Sequence, residues 1–122
     1  MVKLTLMDGK EVELSLNNRA IAQLGELDSA ICEKYYKALA DVQDNTSKRL
    51  FASMVIDYVA YLCKLILDDQ YDQRMSYEDF LDQAPDDGYS LITSAVTLVT
   101  AKKAKGSATP SNEPEKGKSE AV

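Results

Sequence analysis

The residues with the clearest capacity for chemistry are carboxylates. Asp68, Asp69, Asp72, Glu78 and Asp79 fall in one stretch between two helical patterns, and counting from Asp68 puts Asp72, Ser76 and Asp79 at positions five, nine and twelve of a calcium loop. Oxygen ligands so spaced would wrap a hard cation. The pattern breaks where geometry is strictest: Gln73 stands where the sharp turn needs glycine, Gln70 replaces the third-position acid, and Asp79 is shorter than the usual bidentate Glu. The stretch therefore reads as a solvated acidic loop. Asp86-Asp87 sits where a helix begins, and its charge suits the positive end of that helix better than an acid–base role. Cys32 and Cys63 lie in helical patterns without Cys-x-x-Cys spacing, so they read as small buried hydrophobes in a reducing compartment, with no disulfide. The chain has no histidine, so the commonest general base and transition-metal ligand is missing, and it has no Gly-rich phosphate loop or nucleophile elbow. No catalytic, cofactor or metal site is expected, and the chain is not expected to be an enzyme.

With 122 residues, 45% of them hydrophobic and 28% charged, the composition is that of one soluble globular domain. Twenty acids against fourteen bases give a net charge of −6. That balance argues against nucleic acid or an anionic membrane as the main partner, since both select basic surface. The N-terminus lacks the basic and apolar regions of a secretory signal. The apolar stretch from Met54 to Leu67 is interrupted by Asp57 and Lys64 and is shorter than the ~20 residues that span a bilayer. No membrane segment and a cytoplasmic location are expected.

These side chains must be positioned by an α+β, mainly α fold. Leu4 and Leu6, then Val12, Leu14 and Leu16, alternate with polar residues around Asp8-Gly9, which predicts a β-hairpin over 2–16 closed by a type I′ turn. A lone hairpin is marginal in water, so its apolar face must cover helices. Asn17 or Asn18 can cap a helix carrying Ile21, Leu24 and Leu27, and Asp28-Ser29 can restart the pattern with Ile31, Tyr35, Leu39 and Val42; residues 18–43 form one kinked helix or two. From 47 to 67 the polar residues Ser53, Asp57 and Lys64 lie within about 40° of one another at 100° per residue, leaving the rest of the circumference apolar. Such a helix either runs through the middle of a small bundle or presents area that a partner covers. Ser76 with Asp79 resembles a capping box for a short helix over 77–83, and a last helix spans about 88–102. Its apolar side carries Leu91, Ile92, Ala95, Val96, Leu98 and Val99. Its other side carries only Ser90, Thr93, Ser94, Thr97 and Thr100. The expected body is 1–103, a hairpin on a bundle of four to five helices, and 104–122 is a polar tail too poor in apolar residues to fold.

A solvent-facing helix side normally carries charge, so the uncharged hydroxyl side of 89–101 reads as a contact surface. Tyr58 and Tyr61 on the apolar 47–67 helix are added to it, because tyrosine buries large area with a polar tip. An N-terminal Leu-rich hairpin around Asp8-Gly9, an Asn-capped helix with Ile21, Leu24 and Leu27, the segment Ser76-Tyr77-Glu78-Asp79-Phe80-Leu81 and a final helix before a polar tail resemble the tail assembly chaperones of siphovirus-type, long-tailed bacteriophages of Gram-positive hosts. The resemblance covers about residues 1–103 and rests on the order of patterns. It implies a small, mostly helical, non-enzymatic factor in the host cytoplasm. Such a factor binds the tape measure protein, helps recruit tail tube protein, is absent from the finished virion, and has no cofactor and no catalytic residues. It also implies a longer, frameshifted product departing near Ala101–Lys105, and self-association is compatible with it. A small acidic regulator or inhibitor, acting by protein binding or nucleic-acid mimicry, accounts for the charge as well.

Overall fold

The computed structural model describes residues 2–44 and 46–107, with side chains as far as Lys102. Two antiparallel strands, β1 (Val2–Thr5) and β2 (Glu11–Leu14), pair Val2 with Leu14 and Leu4 with Val12. Alternation puts Leu4, Leu6 and Leu14 on one face, and all three are buried. The turn differs from the expected type I′ form. Leu6 N–H donates to the Lys10 carbonyl (2.8 Å) and Gly9 N–H to the Leu6 carbonyl (2.9 Å), so Met7, Asp8 and Gly9 form a three-residue loop. Only Gly9 has positive φ there, at 89°. This is the geometry of a type I turn followed by a left-handed glycine bulge, and Met7 rather than Asp8 opens it.

Helix α1 (Asn18–Leu27) starts where the Asn17 side chain accepts from Ala20 N–H (3.1 Å). It ends at Asp28, whose own carboxylate accepts from Ile31 N–H (3.2 Å) and begins α2 (Ser29–Asp41). Residues 18–43 are therefore two helices sharing one capping residue. Ile21 and Leu24 are buried, but Leu27 is 56% exposed because α1 ends before its stripe completes another turn. Replacing Asp28 with Ala is expected to cost about 1 kcal/mol, the usual loss for an N-cap acceptor. Urea unfolding checks this, and amide exchange should speed up first at Ile31 and its neighbours.

Helix α3 (Lys48–Leu67) is the axis of the molecule, contacting α1, α2, α5 and β2. At 20 residues it is long and apolar enough to cross a bilayer by length and composition, longer than the stretch counted from Met54, yet it runs through the bundle core. It ends in a paired capping motif: Gln70 N–H donates to Leu65 O (2.8 Å) and Asp69 N–H to Ile66 O (3.1 Å), with Asp69 at φ 58°. Asp is among the few non-glycine residues that tolerate that conformation. A 3-10 turn at Tyr71–Gln73 leads to α4 (Tyr77–Gln83), which begins with Asp79 N–H donating to the Ser76 hydroxyl (3.1 Å). Phe80 is fully buried, and Met7 N–H donates to Gln83 O (2.8 Å), joining the hairpin loop to the end of α4.

Helix α5 (Gly88–Ser107) packs on α3 and on β1. A side chain at Gly88 would come within 3.2 Å of Leu50, which sets how closely α5 starts against α3. Its backbone runs to Ser107, so residues 104–107 continue the helix where a tail was expected to start. From residue 108 on, the expected disordered tail lies outside the described residues.

Candidate functional site

Asp87 organises the start of α5: its carboxylate accepts from Tyr89 N–H and from the Ser90 hydroxyl, each at 3.0 Å. Beyond it, Thr93, Thr97 and Thr100 are exposed, while Ser90 is half-buried. Two grooves lie one after the other along α5, between it and the hairpin. One, of about 370 Å³, runs between α5 and β1 and is lined by Lys3, Leu4, Thr5, Pro85, Tyr89, Ser90, Thr93 and Ser94. The ladder alternation turns the backbone groups of Lys3 and Thr5 away from β2, toward this free edge. A second groove, of about 540 Å³, lies between the hairpin and the later turns of α5, with Thr97, Leu98, Ala101 and Lys102 on one wall and Val2 and Leu14–Leu16 on the other. Tyr89 is 76% exposed and Val96 40%, so aromatic and aliphatic area stands beside the hydroxyls.

The expected site residues divide. Ser90, Thr93, Thr97 and Thr100 share one side of α5, whereas Ser94 points inward and is buried. Tyr58 and Tyr61 are internal. The Tyr58 hydroxyl donates to Met75 O (2.9 Å) and the Tyr61 hydroxyl accepts from Met75 N–H (3.0 Å). Their rings pack on Phe80 with centroids 5.3 and 5.7 Å away. They clamp an irregular segment onto α3, and in this fold they offer no surface to a partner; the polar tips that suggested an interface bind backbone.

Helix α3 takes the first of its two expected places, through the middle of the bundle. Its polar stripe lies inward: Ser53 and Asp57 are fully buried. Leu50, on the same side, meets the start of α5, and Lys64 reaches Glu13 of β2 at 3.4 Å, so Asp57 lies beneath the junction of α5 and the hairpin. The Ser53 hydroxyl is satisfied by donating to Arg49 O (2.7 Å). Both Asp57 carboxylate oxygens are buried without a partner, as is the Tyr35 hydroxyl. Burial pushes Asp57 up to about 9, so it stays protonated and neutral at ordinary pH. An acid standing among apolar residues was visible in the sequence, but its direction was not.

Burial also raises both thiols, Cys63 to about 12; for Cys32 the nearby Asp28 charge adds to the effect of burial. Neither supplies thiolate near neutral pH. Among the described residues no three Cys, Asp or Glu side chains converge as a metal ion would need. Compared with known proteins, the chain matches no family model, no curated protein and no solved structure.

Proposed function

We propose that the chain is a non-enzymatic binding protein, a tail assembly chaperone of a long-tailed bacteriophage, that holds the tape measure protein and helps bring tail tube subunits to it. The observation that carries a binding role is the exposed uncharged face of α5, where Thr93 lines one groove against the hairpin and Thr97 the next, with Thr100 exposed one turn on and the exposed ring of Tyr89 one turn before. Hydroxyls let another chain approach closely at a smaller desolvation cost than Lys or Glu would impose. The choice of tape measure protein as partner rests on the sequence resemblance. As a chaperone it acts in the host cytoplasm and leaves before the virion is complete.

The double substitution Thr93→Glu and Thr97→Glu tests the surface. Both positions are exposed and Glu favours helix more than Thr does, so circular dichroism and thermal midpoint should stay close to wild type. Co-purification with a tape measure fragment should fall by about tenfold or more, since charge would be trapped in the contact. Wild-type binding by a folded double mutant would sink this assignment.

A further inference from the structure

Helices α2 and α3 pack side by side, and their outer side is shaped to receive a third helix. Lys34, Lys37, Ala38 and Asp41 on α2 recur at i, i+3, i+4 and i+7, and Lys48, Phe51, Ala52 and Val55 on α3 repeat the same spacing. Each row therefore stays on one side of its helix. Together they line a groove of about 300 Å³. Ala38 and Ala52 are buried and form the floor, where the small side chains leave the space. Val55 is half-buried, and Phe51 stands at the edge with 66% of its surface exposed, among the most exposed large apolar side chains of the described residues.

Charge distinguishes this groove from the rest of the molecule. Residues 1–100 carry nine bases and seventeen acids, yet three of those bases, Lys34, Lys37 and Lys48, stand at this rim with a single acid, Asp41. Lys37 partly neutralises Asp41 at 3.3 Å across one turn of α2, and its side chain remains 77% exposed. Lys34 lies 5.8 Å from the centre of the Tyr77 ring, held at the rim. A basic rim around an apolar floor, on an acidic body, selects an occupant with the opposite arrangement.

We propose that the α2/α3 groove is a docking site for an acidic amphipathic helix of a partner protein, with an apolar side chain over Ala38 and Ala52 against Phe51 and with flanking carboxylates on Lys34, Lys37 and Lys48. Two helical ridges side by side with a hollow between them suit a helix laid in the groove. The site is on a different face from the hydroxyl side of α5, so each contact fails or survives independently of the other.

The test uses the full chain and two synthetic peptides of about eighteen residues, long enough to hold helix, with the same Leu spacing and flanked by Glu in one and Lys in the other. By fluorescence anisotropy the Glu peptide should bind at least about tenfold more tightly than the Lys peptide, and raising salt from about 50 to about 300 mM should weaken it. Reversing the rim with Lys34→Glu, Lys37→Glu and Lys48→Glu, all at exposed positions, should invert the preference, and Phe51→Ser should weaken the Glu peptide about fivefold or more. Equal binding of both peptides, no binding of the Glu peptide at about 1 mM, or a preference that survives the reversal would each overturn the proposal. Vesicles of phosphatidylcholine with phosphatidylserine form a control arm. Tight vesicle binding lost on charge reversal, together with weak peptide binding, would assign the rim to an anionic lipid surface and likewise overturn it.

Discussion

Asp57→Asn is expected to raise the thermal midpoint by roughly 10 °C or more near pH 8, and by little near pH 4.5. The folded carboxyl keeps its proton up to about pH 9, whereas in the unfolded chain it ionises near its ordinary value of 3.8. Between those limits unfolding releases a proton, so wild-type stability falls as pH rises, by about 1.4 kcal/mol per unit. Below the lower limit and above the upper one this contribution is flat. At pH 7 the accumulated cost is on the order of 4 kcal/mol, a large part of the ~5–15 kcal/mol that holds a domain together. Asn has the same shape and cannot ionise, so it removes the pH-dependent part and leaves the unsatisfied polar group. Urea unfolding of both proteins across this pH range isolates the effect, because every other titrating group is common to them. A difference between the two that does not change with pH would show that Asp57 is ionised or solvated in the folded protein.

Phe80→Ala is expected to cost about 3–5 kcal/mol, the loss for deleting a buried aromatic ring. Phe80 is the fully buried anchor of a helix of only seven residues, and its ring meets those of Tyr58 and Tyr61. With it gone, 77–83 is left to the half-buried Tyr77, whose ring lies 5.2 Å from that of Tyr58, and to the Met7–Gln83 hydrogen bond. Exchange should accelerate throughout α4 and also at Met7, whose N–H is held by Gln83 O. Phe80→Leu should cost less than half as much, because most of the volume is kept. If Phe80→Ala unfolds with a wild-type midpoint, the aromatic cluster contributes nothing of note to the fold.

Local chemistry was readable along the chain wherever one residue type answers one geometric need. Asn17, Asp28 and Ser76 begin helices because their short polar side chains reach the first free N–H groups, and the alternation of Leu4, Leu6, Val12 and Leu14 can bury one face only as a hairpin. The hairpin turn was located but mistyped, since Asp-Gly serves both a two-residue loop and the longer loop that Met7 opens. What pattern did not convey was direction on α3. The closeness of Ser53, Asp57 and Lys64 showed a narrow polar stripe without saying which way it faces; the helix is covered by several elements at once, and of the three only Lys64 reaches water. Tyr58 and Tyr61 escaped for a related reason. A tyrosine tip can be satisfied by any backbone group, and here that group belongs to Met75, beyond the end of their own helix. The hydroxyl side of α5 was legible except for Ser94, which one step of rotation carries inside. The Lys34, Lys37 and Lys48 rim was not, because each lysine alone is an ordinary solvated helix residue and only the pairing of α2 with α3 gathers them.

The contact between β1 and α5 sets the order in which the protein is able to form during synthesis. The hairpin is synthesised well before the helix that packs on β1, which begins only at Gly88. In the interval Leu4 and Leu6 find only part of their cover, and the outer edge of β1 stays open to any extended chain. Translation at roughly 5–20 residues per second makes that interval several seconds long. Lys3, which the ladder leaves on the polar face at that edge, is the kind of charged residue that discourages edge-to-edge pairing while the hairpin waits for α5.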